Sequence, residues 1–424
     1  MIYIKKASQV VTVSGASAAP KIRDGMRELN VIENGGVVVE GERIVFVGPD
    51  EEAEAYVKAH RGEEEVTLIN AEGKTVTPGL IDPHTHIVFA GSREFELGLR
   101  LQGATYMDIL QAGGGILYST EQTRKASEQQ LAEETRKRLD RFLAHGVTTV
   151  EAKSGYGLRL EDELKQLRVT RSLNQLHPVE LVSTFMGAHA VPPEYKSAPE
   201  EFVRLIVEEM IPAVAEQGLA EYCDVFCEEG VFTPDQTRDI LRAGMKFGLK
   251  PKVHADEIAY SGGAELAAEM GAVSAEHLLQ ASESGIQAMA EKGVIAVLLP
   301  GTAFYLMTAP ADARKMIDAG VPVALSTDCN PGSSPTVSLP FIMNLACLTM
   351  RMTPEEALTA CTINAAHAIG RAERIGSIEP GKHADLVIFD APNYMFLQYH
   401  YAVNLTDTVI KKGIPVIAGG KVRA

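Results

Sequence analysis

The chain has 424 residues, long enough for one large domain and a smaller one. Its hydrophobic fraction of 46% and charged fraction of 23% are those of a folded globular protein and exclude a disordered one. A formal net charge of -16, with no basic block to offset it, argues against a nucleic-acid partner, and no run of about 18 apolar residues exists to span a membrane.

In chain order, the opening segment MIYIKKASQVVTVSG alternates like a strand and lacks the apolar core and small-residue cleavage site of a signal peptide. GGVVVEGERIVFVGPD reads as a hairpin. The cysteines Cys223, Cys227, Cys329, Cys347 and Cys361 match no zinc-ribbon or disulfide spacing, and the first two sit in YCDVFCEEG, which reads as a buried strand. A reducing, cytoplasmic setting is expected.

The middle of the chain repeats one pattern: a helical stretch ends at a glycine, and a short apolar run follows at once. AHGVTTVEAK, KFGLKPKVHA, EMGAVSAEHL, EKGVIAVLLP and DAGVPVALSTD are the instances. The glycine is the left-handed residue just past a helix end, and the runs lack strict alternation, as strands buried on both faces do. Thr233-Pro234-Asp235-Gln236 and Thr353-Pro354-Glu355-Glu356 read as capping boxes at helix starts.

Eight candidate strands result: TPGLIDPHTH, TTVEAKSG, ELVSTFMGAH, YCDVFCEE, PKVHADE, AVSAEHLL, VIAVLLPGT and PVALSTDCN. Strands alternating with helices over roughly 300 residues predict a TIM (β/α)8 barrel. A doubly wound sheet would carry a phosphate-binding loop after its first strand, whereas Gly113-Gly114-Gly115 follows a helix-like stretch and reads as a mobile loop. The carboxyl-terminal segments ADLVIFDA and VIKKGIPVIAGGKVRA resemble the amino-terminal strands in style. Neither end is long enough for a stable sheet alone, so residues 1–75 and 378–424 are expected to form one small β-sandwich domain beside a barrel of residues 76–377.

Chemistry-bearing residues fall at the carboxyl ends of these strands. His84 and His86 close the first and His189 the third; His254 lies six residues after Gly248, His277 six after Gly271 and Asp328 eight after Gly320. In a barrel those ends share one mouth. Two residues apart on an extended segment, His84 and His86 point to the same side. With His254 and Asp328 they make a mononuclear set of three imidazoles and a carboxylate, suited to zinc or iron, that lowers the pKa of a bound water toward about 7. Asp328 can also take the water proton. Glu257, three residues after His254, is expected to shuttle a proton to a ring nitrogen, and His277 to orient the water or stabilise an oxyanion. Lys153 ends the second strand without an evident second ligand set and reads as structural or electrostatic. His60, His145, His177, His367, His383 and His400 read as structural or surface residues.

At PGLIDPHTH, HADE and ALSTD the chain resembles the amidohydrolase superfamily. DPHTHIVFAGSREFELGLRLQGATY, AGGGI, EAKSGYGL, FMGAHAVPPEY, CDVFCEEGVFT and STDCNPGSSPT are similar to the imidazolonepropionase family within it. That resemblance implies hydrolysis of 4-imidazolone-5-propanoate to N-formimidoyl-L-glutamate, one divalent or trivalent ion per chain, and a homodimer. It implies that Arg93 clamps the substrate carboxylate bidentately, that Tyr156 and His189 hydrogen-bond the ring or the carboxylate, that Glu257 contacts the substrate, and that Asn330, Gly332 and Ser333 supply polar and backbone donors. The expected reaction is attack of an activated water on the ring carbonyl carbon, with Asp328 taking the proton and Glu257 or His277 passing it to the leaving nitrogen. The alternatives are another mononuclear amidohydrolase, such as a nucleobase deaminase, and a non-catalytic barrel scaffold.

Overall fold

The computed structural model describes residues 1–62, 65–103 and 113–422. Its central sheet has eight strands: β6 (Leu80–Asp82), β7 (Val147–Lys153), β8 (Glu180–Ala188), β9 (Tyr222–Cys227), β10 (Lys250–Ala255), β11 (Ser274–His277), β12 (Ile295–Leu298) and β13 (Val323–Leu325). Each is parallel to the next in chain order. All eight segments expected from the Gly-to-strand pattern are therefore strands of one barrel. Just beyond β6 and β13, Thr85 pairs with Cys329 in parallel and the His86 amide donates to the Cys329 carbonyl at 3.0 Å, which brings the first and last strands together.

The glycines behave as their positions require. Gly146, Gly248, Gly271, Gly293 and Gly320 all have φ between 60° and 96°, the left-handed value that lets a helix stop and a strand begin within two residues. Thr233 and Thr353 form complete capping boxes with Gln236 and Glu356. Cys223 and Cys227 are buried on β9, as expected.

A second sheet is built from both ends of the chain. Its strands are β1 (Ile2–Val11), β2 (Val31–Glu40), β3 (Arg43–Pro49), β4 (Thr67–Asn70), β5 (Thr75–Pro78), β14 (Leu386–Phe389), β15 (Thr406–Lys411), β16 (Ile414–Ala418) and β17 (Lys421–Val422). β2 and β3 form the expected hairpin. The seam is β5, paired in parallel with β1 on one edge and antiparallel with β14 on the other. Ile4, Val10, Val37 and Val76 from one end share a core with Leu386, Ile388 and Ile410 from the other. Neither group could bury its apolar face alone. At the amino ends of the barrel strands, Lys411 Nζ bridges Asp385 at 2.6 Å and Thr149 Oγ1 at 3.3 Å, tying the small sheet to the barrel.

Candidate metal centre

The segment after β6 fixes its own orientation. Thr85 donates its hydroxyl to the Glu151 carbonyl at 2.6 Å, so the alternating backbone turns the flanking His84 and His86 to the other side. Asp82, fully buried, accepts from the Ser326 and Thr327 hydroxyls and clamps the end of β6 to the end of β13. Burial pushes its carboxyl up to about 6 even though those hydroxyls pull it down. His277 and Asp328 both have left-handed backbones, with φ of 72° and 54°. Such strain in non-glycine residues is sustained only where the surroundings enforce it.

Four side chains converge at the mouth. His84 Nε2 lies 3.5 Å and His86 Nε2 3.8 Å from Asp328 Oδ1, and His254 Nε2 lies 3.4 Å from His86 Nε2. A ring nitrogen of His277 lies within 4.8 Å of one each on His84 and His254, so His277 stands beside this set. A metal ion suits the donors. His84 Nε2 is buried and has no hydrogen-bond partner, and the two facing ring nitrogens of His86 and His254 are donors in search of a common acceptor of lone pairs.

Beneath the four lies a dry lattice of charge. His84 Nδ1 sits 2.7 Å from Glu276 and His254 Nδ1 3.0 Å from Asp224. A carboxylate only accepts, so each Nδ1 carries the proton and each Nε2 keeps its lone pair turned to the centre. Lys153 Nζ lies 2.7 Å from Asp224, 2.9 Å from Glu276 and 3.0 Å from Glu151. Lys252 Nζ adds a second cation, 3.0 Å from Glu151 and 3.5 Å from Glu276. All five lattice side chains are fully buried. Burial opposes charge throughout, yet the acids hold Lys153 protonated and the lysines hold Glu276 well below the usual carboxylate range. Lys153 is therefore an electrostatic residue, as read from the sequence. Glu151, Asp224, Lys252 and Glu276 escaped that reading, although Glu151-x-Lys153 and Lys252-x-His254 carry the signal: charges at period two in strands otherwise apolar.

The imidazoles divide by surroundings. Burial and the neighbouring histidines push His86 well down, and burial followed by the His254 charge takes His189 down to about 3. Burial raises the Asp328 carboxyl, but His84, His277 and the Thr302 hydroxyl outweigh it and hold it at about 2. Glu257 goes the other way. Burial first, then Asp328 and Glu228, push it up to about 8, with His84 opposing. Its Oε2 lies 3.5 Å from His277 Nε2.

The remaining sequence candidates surround this centre. His189 stacks on His86 with ring centroids 4.7 Å apart and accepts or donates through Nδ1 to the Gly155 carbonyl. Tyr156 stands edge-on to both rings, at 5.3 Å from His189 and 5.9 Å from His86. Its turn is wrapped around buried Glu163, which accepts from the amides of Gly155, Gly157 and Leu158. Glu228 does the same for the amides of Glu257, Ile258 and Ala259. Neither acid had been singled out in the sequence.

Arg93 points its Nε and Nη2 at Glu96, at 2.7 and 2.9 Å, so that edge is engaged and the donors left are Nη1 and the second hydrogen of Nη2. Asn330 Oδ1 accepts from the Gly332 and Ser333 amides, and Asn330 Nδ2 donates to the Asp328 carbonyl and to Ser333 Oγ. Those three residues spend their donors on a turn that grips Asp328. Of the family-like segments, residues 104–106 and 112 lie outside the described residues; Gly113 to Gly115 lead into the helix Ile116–Lys125.

Comparison with known proteins agrees with this geometry. Residues 75–422 match the amidohydrolase family. An imidazolonepropionase of Shouchella clausii is 67% identical over 99% of this chain and 94% of its own length. One from Geobacillus kaustophilus is 63% identical over 99% of each. Among solved structures, atrazine chlorohydrolase TrzN of Arthrobacter aurescens, complexed with zinc, superposes with a TM-score of 0.76 at 16% identity, over 100% of this chain and 96% of that one. Guanine deaminase of E. coli does so with a TM-score of 0.72 at 14% identity, over 100% and 99%. At such identities these two speak for the fold alone. The chain belongs to the amidohydrolase family.

Proposed function

We infer that this chain is an imidazolonepropionase, hydrolysing 4-imidazolone-5-propanoate to N-formimidoyl-L-glutamate. Full-length relatives at 52% to 67% identity carry that name, which supports it over a nucleobase deaminase or an inert barrel. The observation that carries the reading is the convergence of His84, His86, His254 and Asp328 at the barrel mouth, with Arg93 packed against the turn that holds Asp328.

The proposed ligands are the Nε2 atoms of His84, His86 and His254 with Asp328 Oδ1. A bound zinc or iron would supply Lewis acidity and a water acidic enough to react at neutral pH. The protein's own groups handle protons and position. Asp328, ionised at neutral pH, accepts the water proton. Glu257, pushed up to about 8, holds a proton at neutral pH and can donate it to the leaving ring nitrogen, with His277 beside it. Arg93 offers its open edge to the propionate, and Tyr156 and His189 wall the ring. A homodimer in the cytoplasm completes the reading; net charge -16 disfavours nucleic acid, and among the described residues no helix is long and apolar enough to cross a membrane. The test is a direct assay with imidazolonepropionate on protein of measured metal content. Ring opening proportional to bound metal is expected; ammonia release from a nucleobase instead would overturn it.

A further inference from the structure

Gly332 is a glycine for an unusual reason. Its backbone is not left-handed, and it lies in a turn already fixed by Asn330. A Cβ there would stand 2.2 Å from Arg93 Nη1, 2.7 Å from Cζ and 3.0 Å from Nη2. The guanidinium rests where any side chain would be. On its other edge Arg93 meets Glu96, itself only 2% exposed, which also accepts from the Gly115 amide at 2.6 Å and from Arg100 at 3.2 Å. The Arg93 side chain is 9% exposed and its charge is felt at the Tyr156 hydroxyl, so it faces the barrel mouth.

We propose that Glu96 and Gly332 are specificity-determining positioning residues: together they fix the Arg93 guanidinium so that its remaining donors select a ring substrate bearing a carboxylate. This rests on the functional reading above. Glu96 holds the plane from one edge, and the bare Cα of Gly332 lets that plane press onto the turn carrying Asp328. The carboxylate contact and the catalytic aspartate are thus on one rigid piece. A side chain at 332 would lift the guanidinium from the turn while leaving its charge in place. Loss of Glu96 would free it to rotate and would leave two arginines without their shared partner.

The experiment compares kcat/KM for 4-imidazolone-5-propanoate with that for its uncharged side-chain amide, in wild type, Gly332→Ala and Glu96→Gln, with metal content measured in each. Wild type is expected to prefer the acid. Each variant is expected to lower the acid-to-amide ratio by about tenfold or more, chiefly through KM, as for the loss of a charge-assisted hydrogen bond. A general loosening of the fold would depress both substrates alike and leave the ratio unmoved. Ratios equal to wild type in both variants overturn the proposal. If Gly332→Ala does not fold, the ratio in Glu96→Gln decides alone. A wild type that hydrolyses neither compound overturns the functional reading and this inference with it.

Discussion

Thr302 donates its hydroxyl to Asp328 Oδ2 at 2.6 Å, and Oδ1 of the same carboxylate is left facing His84 and His86. The hydroxyl thereby assigns the two oxygens different work. Replacing Thr302 with Val removes the donor at nearly constant volume and is expected to lower kcat about tenfold or more, the scale of a hydrogen bond to a charged group. Thr302→Ser is expected to restore most of it. Steady-state kinetics on both variants checks this, and equal losses in both would point to packing instead.

Asp328→Ala is expected to reduce kcat by at least about a thousandfold, since it removes both a proposed ligand and the proton acceptor. Circular dichroism should show the barrel intact. Appreciable turnover in that variant would sink the proposed chemistry.

Removing metal with a chelator is expected to abolish activity and lower the melting temperature. A ligand bound only by the folded state stabilises by about 4 kcal/mol at a thousand times its Kd. Adding back zinc or ferrous iron separately, with activity and melting followed together, identifies which ion the site prefers.

Lys153→Met leaves Glu151, Asp224 and Glu276 around an apolar group. Breaking a buried ion pair from one side costs about 3–5 kcal/mol, and denaturant unfolding should show a loss of that size. Loss of metal affinity should accompany it, because His84 and His254 take their orientation from two of those acids.

Glu257 gives the metal-free protein a pH dependence with a definite sign. Its carboxyl rises from an ordinary 4.5 to about 8 on folding. Between those values the folded state binds the extra proton, so stability from this group is present at pH 5 and lost as pH rises toward 8. Melting of the chelated protein at pH 5.5 and 8.0 should differ less in Glu257→Gln than in wild type.

The barrel was legible because its strands are announced by glycines that end the preceding helices. The ligands were legible because they stand at strand ends, where a polar residue after an apolar run has few structural reasons to be. The lattice below them was not. Glu151 and Lys252 lie inside strands, and which face of a strand turns inward depends on closure of the whole sheet. Arg93 raised the opposite difficulty. Glu94 and Glu96 beside it looked like a solvated surface, whereas helix periodicity carries Glu96 inward to meet Arg93 and leaves Glu94 outside. Asn330, Gly332 and Ser333 were rightly gathered near the site, but a turn that consumes its own donors is invisible without backbone geometry.

The pairing of β5 with β14 also bears on how the molecule is made. β5 is synthesised before the barrel begins, and the strand for its second edge emerges only after the barrel has been completed. During translation the early strands must wait with an unpaired edge through some 300 residues of growing chain. Rapid closure of the barrel would then serve assembly as well as catalysis, since it returns the late strands to the place where the early ones began.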